Sequence, residues 1–377
     1  MIYLDSAATT KPYREVIETI TNTLSNNWGN ASSAYEFGHQ SKEIVESVRD
    51  QIAADINCKP EEIIFTSGGC EANSLAISGI SRDEYDFFTT RLEHASILEA
   101  APYVGKFHFI RNDKFGNIQS STLNRHLKWH SVCSPKKPFV SIGAANSEIG
   151  TIQDIKALAK IVHSFDGIFH CDATALYPHK KIDVQELGID MMTVSAQKFH
   201  ATEGVGFLYV REGIRVKPII YGVQERGLRG GSYNTALIAG MGKALEITRA
   251  KNNNEYCKYL RDMMLNSLLE IPGVRLNGPS IGSNRLENNI NITIDRVDAE
   301  TLLSLCDMYG VCISKGSACH SYVRTPSATL KAINLTDKQA AQTIRITLDM
   351  FNTYEEIEKA SKILKFLIND IMNPLDK

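Results

Sequence analysis

Hydrophobic and polar positions along this chain switch repeatedly between two periods. Residues 13–24 carry Val16, Ile17, Ile20 and Leu24 at helical spacing, and 38–56 repeat it with Ile44, Val45, Val48, Ile52 and Ala53. Short apolar, β-prone runs then follow at 62–66, 87–90, 107–110, 138–143, 167–172, 189–195 and 206–210. Helical patterns fall between them at 120–129 and 154–164, with further helix starts after Gly69 and at Glu93. This alternation predicts an α/β fold with a mostly parallel, seven-stranded sheet flanked by helices. Two long helices follow, at 236–251 and 254–269, and a second region opens at Pro272. It has strands at 289–294, 311–314 and 343–348 and helices at 299–309 and 355–372. The domain change falls near 245–255, inside a helix rather than in a flexible linker.

Composition narrows the setting. A length of 377 residues suits two domains, and 43% hydrophobic with 22% charged residues is ordinary for a globular protein. A net charge of −2 gives no reason to expect nucleic acid or an anionic membrane as partner. The first residues, MIYLDSAATT, do not form a signal peptide, and no apolar run reaches membrane-spanning length. Eight cysteines show neither CxxC nor Cys/His zinc spacing, so no metal is expected. They read as reduced thiols in a cytoplasmic protein, one of them open to being reactive.

The chemistry gathers at strand ends. His94, Asn146, Asp172 and Lys198 all fall at or just past the carboxyl end of a β-prone run, where open α/β sheets hold ligands. Lys198 follows a buried strand within three residues, so its amine is placed to be desolvated and to form a Schiff base with a carbonyl cofactor. A lysine capping a strand end in solvent is the ordinary alternative. The run 62–71 reads strand, then Ser67-Gly68-Gly69-Cys70, then helix start, which presents backbone N–H groups to an anion but is also a plain strand-to-helix turn. No GxGxxG follows the first strand, which sets aside a dinucleotide site. An amine, a carboxylate, an imidazole and an anion nest suit pyridoxal phosphate better. Asp172 would keep the pyridine nitrogen protonated, and His94 would stack on the ring or move protons. A helix-capping Asp and a satisfied core His remain the structural alternatives. Cys319 lies in the small-residue run Lys315 to His320, where a neighbouring lysine and histidine favour thiolate; an inert, half-buried thiol is the ordinary alternative. Arg345, inside a strand, needs a carboxylate partner, either structural or on a substrate.

Taken in order, YLDSAATT, WGNASS, FTSGGCEAN, LEHASI, NSEIGTIQDI, HCDATA, SAQK, ERGLRGGS, KGSAC and IRITL resemble the pyridoxal-phosphate-dependent cysteine desulfurases, in the class V aminotransferase group of fold type I. The resemblance runs along nearly the whole chain. It implies a large cofactor domain over 13–250 and a small domain built from 1–12 and 251–377. It implies Lys198 as the cofactor lysine, Asp172 as partner of the pyridine nitrogen and His94 as the stacking, proton-handling residue. Gly69, Cys70 and Ser195 fall where the family binds phosphate, with Gln197 beside the lysine in the cofactor set. Ser232 resembles the residue lent to the phosphate by a neighbouring subunit, which implies a homodimer. Asn146 and Arg345 match the residues holding the substrate carboxylate, with Asn30 of WGNASS on the substrate side. Cys319 matches the catalytic cysteine of the longer-loop subgroup, tied to iron-sulfur cluster supply.

Several positions depart from the family pattern. Ala175 stands for a usual glutamine that donates to the cofactor's ring oxygen, Gln197 for a histidine, and Cys70 for a threonine. Ala31 replaces a proline, Tyr35 a histidine, and Asp349-Met350 a Gly-Arg pair. The resulting expectation is desulfuration of L-cysteine to L-alanine, in which Lys198 or His94 removes the α-proton and the Cys319 thiolate takes the sulfur for a protein acceptor. Another class V reaction (aminotransferase, selenocysteine lyase or β-lyase) and a degraded sulfur-transfer scaffold are the rival expectations.

Overall fold

A computed structural model describes residues 1–251, 254–316 and 327–373. In chain order the elements are β1 (Ile2–Tyr3), α1 (Arg14–Asn26), α2 (Glu36–Ile56), β2 (Ile63–Thr66), α3 (Gly69–Gly79), β3 (Tyr85–Thr90), α4 (Ala95–Leu98) and β4 (Phe107–Ile110). Next come α5 (Ser120–Cys133), β5 (Lys137–Gly143), α6 (Ile155–His163), β6 (Ile168–Asp172), α7 (Val184–Leu187), β7 (Met191–Ser195), β8 (Gly206–Val210) and α8 (Thr235–Lys251). The last third holds α9 (Asn254–Leu269), β9 (Val274–Leu276), β10 (Asn289–Ile294), α10 (Ala299–Met308), β11 (Val311–Cys312), α11 (Ala328–Ala332), α12 (Asp337–Ala341), β12 (Thr343–Thr347) and α13 (Tyr354–Met372).

The seven runs read between 62 and 210 form one sheet in the order β2-β8-β7-β6-β5-β3-β4. All pairs within β7-β6-β5-β3-β4 are parallel, and β8 alone runs against its neighbours β2 and β7. The sheet is apolar on both faces because helices cover both. Successive residues alternate sides: Phe65, Phe88, Val140, Phe169, Met192 and Phe207 pack in the core under α2, α5, α6 and α8. Their neighbours Ile64, Phe87, Phe139, Ile168, Met191 and Leu208 pack in the core under α3.

A separate core unites α9, α10 and α13 with the antiparallel sheet β12-β10-β9. Ile2 and Leu4 belong to this second core, and β1 pairs in parallel with β11. The chain's first residues therefore run from the second core across to the large sheet.

Local differences from the sequence reading have identifiable causes. The helix expected at Glu93 is the four-residue α4, with His94 as its N-cap; Pro102, just beyond, has no N–H to continue it. The run 311–314 is a two-residue strand, after which Ser314 bridges to Arg345. The short helices α7, α11 and α12 carry too few apolar positions to announce a period.

Candidate active site

The carboxyl ends of β3, β5, β6 and β7 open into a cavity of about 720 Å³, closed on the other side by residues 6–8, 327–329 and 345–350. His94, Asn146, Asp172 and Lys198 all line it, as do Gly69, Cys70, Ser195, Gln197 and Arg345. Sequence reasoning thus brought together residues spread over 276 positions, from Gly69 to Arg345.

The carboxylate at the end of β6 is held in place from two sides. Thr174 N–H donates to Asp172 Oδ1 at 3.0 Å, and Asn73 Nδ2 donates to Oδ2 at 2.8 Å. Asn73 also donates to Ser96 Oγ at 2.9 Å. Ser96 in turn meets His94 Nδ1 through its Oγ (2.8 Å) and its backbone N–H (3.2 Å). Because Oγ already accepts from Asn73 and Nδ1 already accepts from a backbone N–H, the hydroxyl donates to Nδ1. The neutral imidazole then carries its proton on Nε2. Asn73 therefore fixes both the carboxylate and the imidazole. Its signal in the sequence was weak, the last letter of SGGCEAN.

Beneath these groups lies Glu93, fully buried, with Thr90 Oγ1 donating to Oε1 (2.6 Å) and Gly143 N–H to Oε2 (2.7 Å). Burial, reinforced by the charge of Asp172, pushes its pKa up to about 7. His170, one layer lower, sits between Ser141 Oγ and Thr193 Oγ1. Burial pushes its pKa down to about 4.

Lys198 ends a 3-10 turn directly after β7, and its Nζ donates to the carbonyls of Ala7 (2.6 Å) and Ala8. The N-terminal arm is tied to this turn by Thr10, which donates to Gln197 O through both N–H and Oγ1. The amine, held by these two carbonyls, lines the cavity that the arm covers.

The anion cradle is built from Ser67 to Cys70. Gly68 adopts φ +146°, and α3 opens without a side-chain cap. Close approach to β8 requires Gly206, where a Cβ would fall 2.5 Å from Val194 O and 2.9 Å from Gly68 Cα. Glu71 locks the loop: its Oε2 accepts from Ser67 N–H (2.8 Å) and its Oε1 from Arg229 Nε (2.8 Å). Burial pushes the Glu71 pKa up, but Arg229 and Ser67 hold it below the ordinary range.

Arg345, 2% exposed in the middle strand position of β12, donates from one terminal nitrogen to Asp5 Oδ1 at 2.7 Å. Its Nε is buried without a partner among the described residues. Glu148 lies nearby, fully buried; burial raises its pKa while Ser327 Oγ, donating to Oε2 at 2.7 Å, and the charge of Arg345 pull it down. Asn146 is largely committed to its own turn: Oδ1 accepts from the N–H groups of Glu148 and Ile149, and Nδ2 donates to Leu92 O at 2.8 Å. Its Nδ2 also makes a long contact to Thr329 Oγ1, at 3.5 Å, the weakest of its bonds.

Two expected residues do not reach this cavity. Asn30 sits exposed in a turn where its Oδ1 accepts from Ser32 N–H. Ser232 lines a neighbouring cavity of about 260 Å³ that shares Ser67 with the first. Cys319 lies outside the described residues; those flanking its segment, Gly316 and Ser327, both approach Glu148.

A lysine amine, a carboxylate, an imidazole and an anion cradle opening on one cavity at the strand ends define an enzyme of amine–carbonyl chemistry. The chain belongs to the class V aminotransferase family, whose model, Aminotransferase class-V, matches residues 2–360. It is 38% identical to the cysteine desulfurase IscS of Dictyoglomus turgidum over 382 residues, covering 98% of this chain and 95% of that relative. Among solved structures, a NifS-like protein from Rickettsia africae superposes with a TM-score of 0.88 at 30% identity, covering 99% of both chains. A structure described as SspA in complex with cysteine superposes with a TM-score of 0.80 at 28% identity, covering 94% of this chain and 100% of that one.

Pyridoxal phosphate is the cofactor of this family, and the residues fit it. Thr174 Oγ1 is buried at the cavity without a partner among the described residues, and a Cβ on Gly69 would intrude to 3.4 Å from it. An acceptor oxygen entering between the α3 N-terminus, Ser195 and Thr174 meets donors on every side.

Proposed function

We propose that this chain is a cysteine desulfurase that takes sulfur from L-cysteine onto Cys319, leaves L-alanine, and passes the sulfur to an acceptor protein. The observation that carries this reading is the convergence of Lys198, Asp172, His94 and the 67–70 cradle on one cavity faced by Arg345. When bound, pyridoxal phosphate supplies an electron sink for the substrate's α-carbon. Ser67 to Cys70 with Ser195 and Gln197 hold its phosphate end. Asp172, fixed by Asn73 and Thr174, sets a negative charge against its ring nitrogen. His94 presents its Nε2 proton to the cavity.

Arg345 takes the substrate carboxylate, exchanging Asp5 for it, with Asn146 as second donor. Lys198 removes the α-proton, and Lys198 and the Nε2–H of His94 return protons to the product. The Cys319 thiolate attacks the substrate sulfur; the bond from that sulfur to Cβ breaks, its electron pair leaves with carbon, and a proton on that carbon completes alanine. The chain divides for this purpose into a cofactor domain over 13–250 and a small domain of 1–12 with 251–377.

A homodimer fits the surface: Tyr221 and Val223 are 85% and 83% exposed beside Ile219 and Ile220, in the segment leading to Ser232. In that dimer Ser232 serves the neighbouring subunit's phosphate site. No disulfide joins the seven cysteines among the described residues, in keeping with a cytoplasmic enzyme. No helix among the described residues is long and apolar enough to cross a membrane.

Mass spectrometry of the holoenzyme after exposure to L-cysteine, with and without borohydride, tests the assignment. The expected result is cofactor reduced onto Lys198, one added sulfur on Cys319, and alanine in solution. Cys319→Ser should keep the cofactor's absorbance and form no persulfide. Sulfide release equal to wild type in that variant would remove Cys319 from the reaction.

A further inference from the structure

Far from the cavity, the edge of the large sheet gathers a second polar cluster. Asp86 and Phe88 lie two apart on β3 and so face the same side, and the parallel register sets His108 of edge strand β4 directly opposite Phe88. Helix α5 covers that side and lowers His130 onto it. His108 stacks on Phe88 (4.6 Å, 16°), and His130 meets the same ring edge-on (4.9 Å, 86°). One ligand atom from each of Asp86, His108 and His130 lies within 4.8 Å of the other two.

An ordinary buried ion pair explains part of this. His130 Nε2 is 2.9 Å from Asp86 Oδ2, Ser134 Oγ donates to the same oxygen at 2.9 Å, and Lys136 stands 3.8 Å from Oδ1. It does not explain His108, whose Nε2 is buried without a hydrogen-bond partner among the described residues. Leaving such a nitrogen unmet is costly, and buried polar atoms are almost always satisfied. A cation between the three ligand atoms would satisfy it.

We propose that Asp86, His108 and His130 bind a divalent transition metal of the Zn²⁺ class. Two imidazoles and one carboxylate form a borderline donor set, which selects Zn²⁺ or Co²⁺ over Mg²⁺ and Ca²⁺, which prefer oxygen, and over Cu⁺, which prefers sulfur. Three protein ligands leave a fourth position for water. Ser134 orients the carboxylate from outside, and Phe88 fixes both rings. The cluster sits at the amino end of β3, opposite the strand ends that carry the cavity, and none of its residues lines that cavity. Its effect is therefore mechanical: the metal pins edge strand β4 to β3 and α5.

Chelator-treated holoenzyme is titrated with Co²⁺ and read by visible absorption. Wild type should show the weak d–d bands of nitrogen and oxygen ligands, without thiolate charge transfer, and lose them on adding Zn²⁺. His108→Phe keeps the stack on Phe88 and should abolish these bands. Asp86→Asn should bind about tenfold more weakly or worse, and it decides the matter if the first variant does not fold. Zn²⁺ should raise the melting temperature of wild type more than that of Asp86→Asn and leave that of His108→Phe unmoved, with alanine formation unchanged in both variants. Absence of nitrogen–oxygen d–d bands in wild type, or equal binding by wild type and a folded variant, overturns the site.

Discussion

The floor and the wall of the main cavity are built on different terms. On the floor, Glu93 has both oxygens satisfied by fixed donors, and Asp172 and His94 are joined through Asn73 and Ser96 into one hydrogen-bonded chain. On the wall, Glu148 has one oxygen on Ser327 and the other, Oε1, without a partner among the described residues; Arg345 shows the same shortfall at Nε. On the floor the carboxylates and the imidazole are held by fixed donors and only neutral atoms, Asn73 Oδ1 and Thr174 Oγ1, lack a partner among the described residues, whereas on the wall the charged groups themselves are incompletely met. The floor is set in advance for a resident cofactor. The wall leaves Arg345 Nε and Glu148 Oε1 open on the side where the substrate is proposed to bind.

Substitutions that separate floor from wall should fall in a definite order. Asp172→Asn, on the floor, should cut alanine formation ~10³-fold and alter the bound cofactor's absorbance, because the charge set against the ring nitrogen is lost. Arg345→Ala, on the wall, should leave that absorbance intact and raise KM for cysteine ~100-fold, the loss of a charged double hydrogen bond of ~3 kcal/mol. If Arg345→Ala instead loses the cofactor, the division between the two regions is wrong. Glu148→Gln should retain cofactor and substrate binding yet slow persulfide formation about tenfold, or ~1.4 kcal/mol of barrier, since Glu148 touches both residues flanking the Cys319 segment. Single-turnover persulfide labelling reads this step directly.

The last effect concerns stability and pH rather than rate. Glu93 titrates at about 7 in the folded chain against an ordinary 4.5, so the folded state holds the proton more tightly than the unfolded one. The stabilisation this gives is complete below the unfolded value and is lost as pH rises through about 7, ~3 kcal/mol in all. Glu93→Gln stays uncharged throughout and should lack that decline. Melting curves across this pH range compare the two proteins, and parallel profiles would show that Glu93 is ionised without cost.

What the sequence made legible follows from periodicity. Lys198, Asp172 and His94 each end or follow an apolar β-run, so a parallel sheet was enough to place them at one edge, and all seven strands of that sheet were readable for the same reason. Glu93, Asn73 and Glu148 gave no such signal, because their roles come from depth of burial and from partners on other elements. Asp86, His108 and His130 are a sharper case: the search for zinc spacing looked along the chain, whereas these three meet only once β3, β4 and α5 are packed. Asn30 and Ser232 were readable only through resemblance, and a single chain leaves both outside the main cavity.

The arm that carries Ala7 and Ala8 has a temporal consequence. Thr10 ties it to Gln197, but residues 2–7 are anchored on β11 and Thr347, the latter made 340 positions after Ala7. On the ribosome, the large sheet can form while the arm is held only at its Thr10 end. The wall of carbonyls around Lys198 is therefore completed only when synthesis is nearly finished.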